Sequence, residues 1–283
     1  MAKAEYGLRE IATGVWQMRD VLDDRAYLVV GERAALLVDT CIGYGDIREQ
    51  VRQLTDLPIS VALTHAHYDH MGGAYLFDEV WLAEAEDGQW AYEEVLAERV
   101  YARHLAEGVL EDGELLGFRD GVRPASRHVS DGDVFDLGDV TVEAVALPGH
   151  TPGSLGYLVR ERRILLSGDA VTPIMCLFFP NSLPVSAYRE TLAKMSALPF
   201  DSFYTGHHDV GFARDTLGGF DETAAFAETH RGVTWQHALL EEYVGCAYLP
   251  PCGTIDADSP DFRALIGPYV RRERRRGTGR RQG

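Results

Sequence analysis

The apolar run Ile59-Ser-Val-Ala-Leu-Thr64 is followed at once by His65-Ala-His67-Tyr-Asp69-His70-Met-Gly-Gly, which puts four candidate metal ligands within six residues. In an extended segment, side chains two apart point the same way, so His65 and His67 can grip one cation. Asp69 and His70, in the turn that follows, can face a neighbouring one. A single histidine is most often a satisfied core or surface residue. Four such groups at a strand-to-helix junction are different, because burying them without a cation would leave several donors and acceptors unpaired. The segment reads as a metal site at the end of a strand.

Three further candidates sit at strand ends. His150, in Leu147-Pro-Gly-His-Thr-Pro-Gly, follows the strand VTVEAVAL; Asp169 closes RRILLSGD; His207, in Tyr204-Thr-Gly-His-His, follows SFYT. Each has a glycine beside it that lets backbone approach a ligand. Asp39 closes a fourth strand, LLVDT. Tyr27 to Asp39 and Tyr157 to Asp169 share Tyr, Leu, Val, Arg, Leu and Asp at the same offsets, which reads as a duplicated hairpin placing Asp39 and Asp169 at related positions in two halves.

Strands are expected at Ile59 to Thr64, Val80 to Ala83, Val134 to Leu147 with a turn at Leu137 to Asp139, and Ser202 to Thr205. Helices are expected at Asp46 to Leu54, at Ser186 to Leu198 with a serine cap, and at Thr223 to Val244. The alternation predicts an α/β sheet protein with helices covering the sheet. Glu84 to Asp120 reads as a helical insertion with eleven acids against three arginines, either a solvated decoration or a lid. Residues 211–270 read as a helical then irregular extension, because Pro250, Pro251, Gly253, Pro260 and Pro268 interrupt them.

Charge narrows the partners. The chain of 283 residues carries a net charge of −17, yet seven arginines against one glutamate fall in 271–283. The rest holds 20 of the 27 basic groups and 43 of the 44 acidic ones. So acidic a body repels phosphate backbones, which argues against nucleic acid as a partner, and the basic end reads as a solvated tail. No apolar stretch approaches the ~20 residues that span a bilayer, and charges interrupt Met1 to Asp20, so neither membrane span nor signal peptide is expected. Cys41, Cys176, Cys246 and Cys252 form no C-x-x-C pair and read as reduced thiols of a cytoplasmic protein. A small-molecule substrate is the expected partner, with monomer and homodimer both open.

These motifs together resemble the metallo-β-lactamase-fold hydrolases, whose H-x-H-x-D-H signature is followed by separate His, Asp and His ligands. The resemblance covers roughly residues 10 to 210 and fills every position of the pattern. It implies a four-layer αββα sandwich within a single domain over 1–270, with metals at one edge between the sheets. His65, His67 and His150 would bind one ion, Asp69, His70 and His207 a second, and Asp169 would bridge them. A hydroxide between two divalent ions ~3.5 to 4 Å apart would be the nucleophile. Nitrogen-rich ligation without thiolate fits zinc and tolerates iron or manganese. Asp39 matches the family's aspartate that fixes a ligand histidine, and Gly206-His207 matches its Gly-His element, which assigns His207 rather than His208 as ligand. His104, His128, His230 and His237 match nothing.

Within the family, an Asp169 and no signal peptide argue against antibiotic hydrolysis, the length excludes a flavodoxin-bearing diiron protein, and the charge argues against RNA processing. What remains resembles glyoxalase II, N-acyl homoserine lactonases and other small ester or thioester hydrolases. No basic cluster before residue 270 matches the one glyoxalase II uses for glutathione. The alternatives are a mononuclear iron persulfide dioxygenase and a non-catalytic metal-binding scaffold. The run Thr172 to Pro180 is either core or pocket wall; as wall it favours an apolar acyl or ring substrate, with Tyr188 a hydrogen-bond donor.

Overall fold

The structure is a computed structural model that describes residues 5–249 and 262–268. The Arg-rich segment 271–283, Pro250, Pro251, Gly253, Pro260 and Cys252 lie outside the described residues.

Strands β1 (Gly7–Ala12), β2 (Val15–Arg19), β3 (Arg25–Val30), β4 (Ala35–Val38), β5 (Ile59–Ala62), β6 (Glu79–Leu82) and β7 (Ala125–His128) form one sheet in that spatial order, antiparallel up to β4 and parallel from there. The second sheet contains β8 (Val134–Asp136), β9 (Thr141–Ala146), β10 (Leu155–Val159), β11 (Ile164–Gly168), β13 (Ser202–Thr205) and β14 (Phe212–Ala213), ordered β14-β13-β11-β10-β9-β8. A third, smaller sheet takes β12 (Ile174–Cys176), β17 (Ala264–Pro268), β16 (Val244–Tyr248) and β15 (Val233–Gln236). The helices are α1 (Ile47–Leu54), α2 (Tyr68–Met71), α3 (Trp90–Ala106), α4 (Gly117–Asp120), α5 (Val185–Ala197) and α6 (Leu217–Thr229).

Strand alternation builds the layers. Tyr27, Val29, Leu36 and Val38 from one sheet meet Tyr157, Val159, Ile164 and Leu166 from the other in a shared inner core. The intervening Ala26, Leu28, Ala35 and Leu37 face outward onto α1, through Ile47 and Val51. On the far side Leu158 and Leu165 pack on α5 and α6 through Leu192, Met195, Phe220 and Ala224. Period-two patterning with both faces apolar thus yields helix, sheet, sheet, helix, the expected αββα sandwich. Each fully buried aliphatic in these layers stabilises the fold by ~1.5–3 kcal/mol.

The two similar hairpins are both antiparallel but pair two residues out of register with each other, Tyr27 opposite Val38 and Tyr157 opposite Leu166. Their tyrosines cross between halves. Tyr27 Oη donates to the Thr205 carbonyl at 2.7 Å, and Tyr157 Oη donates to the Leu63 carbonyl at 2.9 Å. Each thereby anchors the strand end of the opposite half that carries a site histidine.

Three sequence expectations need correction. Helix α5 starts after Pro184 with no side-chain cap, so Ser186 does not cap it. The helix expected over Thr223 to Val244 ends at Thr229; Gly232 breaks it, and β-branched and aromatic Val233-Thr-Trp-Gln enters a strand. Among the described residues after 211, β14 and helix α6 are followed by three strands of the third sheet, and residues 250–261, where most of the irregular chain was expected, lie outside the described residues.

Candidate metal centre

Four strand ends converge at one edge of the sandwich. The parallel pairs β4–β5 and β11–β13 bring Asp39, His65, Asp169 and His207 to the same side. The loop after β9 supplies His150, and α2 supplies Asp69 and His70. The seven expected ligands fall into two groups, His65 with His67 and His150, and Asp69 with His70, Asp169 and His207, each with ligand atoms within 4.8 Å of one another. His67 Nδ1 and His150 Nε2 are 3.0 Å apart, and His207 Nε2 lies 3.2 Å from Asp169 Oδ2 and 3.4 Å from Asp69 Oδ2. Gly206 permits this closeness: a Cβ there would stand 2.5 Å from His70 Cε1 and 2.7 Å from Asp169 Oδ1.

The nitrogens of four histidines that point away from the centre are held. His65 Nδ1 contacts Thr64 Oγ1 at 3.1 Å, and His150 Nδ1 donates to the Cys176 carbonyl at 2.7 Å. His70 Nδ1 donates to Asp39 Oδ2 at 2.8 Å, and Asp39 also accepts the Thr64 N–H at 2.7 Å and the Thr64 hydroxyl at 2.8 Å. His207 Nδ1 faces Asp24 Oδ1 at 3.3 Å. Fixing the outer nitrogen sets the ring and tautomer, leaving the inner nitrogen free to ligate. Asp39 adopts φ 60°, a left-handed conformation that Asp tolerates.

The electrostatics ask for cations. Among the described residues, His65 Nε2, His70 Nε2 and Asp169 Oδ1 are buried without a hydrogen-bond partner, although such atoms are normally satisfied. Burial and neighbouring imidazoles hold His65 and His67 well below the usual histidine range, so their rings are neutral and ligand-competent. Burial pulls His70 and His207 the same way, yet the carboxylates around them, Asp169 above all at His207 and Asp39 at His70, hold both well above it. Against its own burial, Asp169 is held well below the carboxylate range by His207 and His70. Protonated imidazoles here occupy the electrostatic role that a bound cation would take, and the donor set fits two divalent ions.

Sequence reasoning missed three carboxylates that organise this centre. Asp24 orients His207 and is itself pushed up to about 6 by burial, a rise that its bond to His207 opposes. The other two come from the insertion. Glu86, 1% exposed, accepts the Ala66 N–H at 3.1 Å, the Thr151 hydroxyl at 2.8 Å and the Gly153 N–H at 2.8 Å, tying the His65–His67 segment to the His150 loop. Glu93 on α3 accepts the Tyr68 N–H at 3.1 Å and is pushed up to about 8 by burial and by Asp69. The insertion is thus wired into the centre, and Leu96, Val100 and Tyr101 also pack with Phe178, Leu240, Tyr243 and Ile266.

A cavity of about 820 Å³ opens onto these ligands. The Thr172 to Pro180 run divides by strand alternation: Met175 and Leu177 enter the core, while Ile174, Cys176 and Phe178 line the cavity. Tyr188 is not the hydrogen-bond donor in the pocket that was expected. It is 1% exposed on the core-facing side of α5, away from the cavity lining, and its hydroxyl has no hydrogen-bond partner among the described residues. His208 stands at the cavity rim, bonded through Nδ1 to Thr205 Oγ1 at 3.0 Å and outside both ligand groups. Burial and the charge of His207 lower it to about 4. His237, which matched no motif, lines the cavity.

A family model described as the metallo-beta-lactamase superfamily matches residues 20–207. The acyl-coenzyme A thioesterase MBLAC2 of Homo sapiens is 31% identical over 170 residues, 51% of this chain and 57% of that protein. A hydroxyacylglutathione hydrolase of Rhodopseudomonas palustris is 30% identical over 157 residues, 55% of this chain and 49% of that protein. The matches span about half the length of these curated relatives. Among solved structures, a metallo-beta-lactamase family protein from Thermus thermophilus, TTHA1429, superposes with TM-score 0.55 at 22% identity, covering 77% of this chain and 81% of its own. The sec-alkylsulfatase Pisa1 from Pseudomonas sp. reaches TM-score 0.61 at 16% identity, over 78% and 42%. Both share the fold.

Proposed function

The chain belongs to the metallo-β-lactamase superfamily, and from that premise we propose that it is a hydrolase of ester, thioester or lactone bonds that works with two divalent metal ions. The observation that carries the reading is the complete set of seven ligand side chains around buried nitrogen and oxygen atoms that have no other partner. His65, His67 and His150 would hold one ion, Asp69, His70 and His207 the other, with Asp169 between them. Two such ions supply a hydroxide nucleophile at neutral pH and polarise the carbonyl under attack.

The chain's own groups do the rest. Asp69 Oδ2 lies 3.4 Å from His207 Nε2 and 3.9 Å from His70 Nε2, at the mouth of the cavity. A carboxylate so placed can orient the attacking water and carry its proton to the leaving group. Asp39 and Asp24 keep His70 and His207 aimed inward, and Phe179, with ring centroid 4.6 Å from His67, shields the centre from bulk water. The names of relatives support an acyl substrate, one being an acyl-coenzyme A thioesterase and the other a hydroxyacylglutathione hydrolase.

Metal quantification with ester, thioester and lactone panels tests this. Two ions per chain and hydrolysis of at least one panel are expected, and Asp169→Ala should lose the second ion and most activity. A native preparation with a single iron that consumes oxygen would replace the reading with a persulfide dioxygenase.

A further inference from the structure

The cavity has two unlike ends. On one side an aromatic ladder leads away from the ligands: Phe179 stands 4.6 Å from His67 and 5.4 Å from His150, Phe178 stacks on Phe179 at 4.3 Å, and Trp235 follows at 4.7 Å from Phe178. Ile174, Leu240 and Ile266 complete that wall. The third sheet makes half of it, with β12, β15 and β17 contributing Ile174, Trp235 and Ile266. Because the ladder starts against the ligand histidines, a group lying on it is attached directly to the reacting carbonyl. Flat rings spaced in this way favour another ring by offset or edge-on packing.

The opposite rim carries Arg19 and Arg25, and both are already neutralised. Arg25 Nη2 lies 2.9 Å from Asp209 Oδ1 and 3.6 Å from Asp23, while Arg19 Nη1 lies 3.3 Å from Asp209 Oδ2 and 3.4 Å from Asp23. Among the described residues no lysine lines the cavity, and Glu93 adds a further acid. A polyanionic leaving group would meet two arginines whose charges Asp23 and Asp209 already offset and a chain of net charge −17, so it gains little and is repelled at long range.

We infer that the substrate is an ester or thioester of an apolar, ring-bearing carboxylic acid with an uncharged leaving group, the ring lying on Phe179, Phe178 and Trp235. This rests on the hydrolase reading above and adds the substrate class. Water adds across the acyl bond: the carbonyl carbon gains the hydroxyl, the bond to oxygen or sulfur breaks, and the leaving alkoxide or thiolate takes the proton. The new carboxylic acid then releases its proton to solvent. No oxidant or co-reactant is required.

The test compares 3-phenylpropanoyl and acetyl thioesters of N-acetylcysteamine, then 3-phenylpropanoyl-coenzyme A, on the metal-loaded full chain. The phenyl substrate should exceed acetyl in kcat/KM by about tenfold or more, chiefly through KM, and the uncharged thioester should match or exceed the coenzyme A one. Trp235→Ala should cut the phenyl-to-acetyl ratio by about tenfold, and Trp235→Phe, which keeps a ring, should largely restore it. Independently of turnover, 3-phenylpropanoate should quench indole fluorescence in the loaded wild type and not in Trp235→Phe. A coenzyme A preference, or an unaltered ratio in Trp235→Ala without quenching, overturns the inference while leaving the hydrolase reading intact. Quenching without hydrolysis of any panel substrate defeats the hydrolase reading and keeps the pocket assignment.

Discussion

Glu86 offers the most direct test of how the insertion serves the metal centre. It is buried, and its carboxylate is the acceptor for Ala66 N–H at 3.1 Å, Gly153 N–H at 2.8 Å and the Thr151 hydroxyl at 2.8 Å. Those donors flank His65, His67 and His150. In Glu86→Ala the hydroxyl keeps a second partner, Ser154 Oγ at 2.8 Å, but the two backbone N–H groups lose theirs. An unsatisfied buried donor costs about 1–3 kcal/mol, so the pair costs ~2–6 kcal/mol, and water entering the vacated space reduces this to about 2–4 kcal/mol. In a chain of this size that lowers Tm by roughly 3–7 °C. Glu86→Gln keeps one oxygen for Gly153 and Thr151 yet turns an amide donor toward Ala66 N–H, so the His65–His67 segment is released while the fold is mostly retained. Cobalt titration followed by visible spectra, beside calorimetry of the metal-free chain, separates the two consequences. Affinity at the three-histidine site should fall about 10- to 100-fold in Glu86→Gln, with the site built from Asp69, His70, Asp169 and His207 little affected. Wild-type cobalt affinity and spectrum in that variant, with Tm moved by less than about 1 °C, would refute the argument.

Asp39→Asn keeps the left-handed backbone but loses the charge that holds His70 Nδ1, and equilibrium dialysis should show the Asp69–His70–His207 site weakened ~10- to 100-fold. Asp69→Asn should retain the ion of the three-histidine site and lower kcat by at least ~10²; near wild-type turnover with both ions bound would remove Asp69 from proton transfer. Replacing Glu84 to Asp120 with a Gly/Ser linker should now cost metal content as well as altering KM, because Glu86 and Glu93 leave with it; a linker variant with full metal content would return the segment to a lid or a decoration. Glu93 titrates near 4.5 when unfolded and about 8 in the folded chain, so the protonated form favours folding. Stability of the metal-free chain from this group is present in acid and is lost as pH rises toward 8, and urea titrations across that window should show a shallower decline in Glu93→Gln.

The candidate ligand set was legible because its parts are local: a polar residue follows a strand at His65, His150, Asp169 and His207, with glycine beside the last three, and a motif read along the chain needs no knowledge of neighbours. Alternation of strands and helices announced a sheet covered by helices, while the four-layer sandwich was implied by the family resemblance and is realised in the structure by apolar residues on both faces of β3, β4, β10 and β11. What organises the centre was hidden because it depends on pairs far apart in sequence. Glu86 meets Thr151 across 65 residues, and Asp24 meets His207 from the opposite half. Residues 84–120 look like any acidic helical segment until packing buries two of their carboxylates against backbone N–H groups. Tyr188 shows the reverse error: a tyrosine near the site in sequence was read as a donor, whereas the helix phase of α5 turns it into the core. The third sheet escaped notice because its strands are short and separated in the chain, and only their pairing places Trp235 and Ile266 in the wall of the cavity that the candidate ligands also line. Local pattern decides which atoms can bind and which faces must be buried; long-range closure alone decides which distant side chains hold those atoms in place.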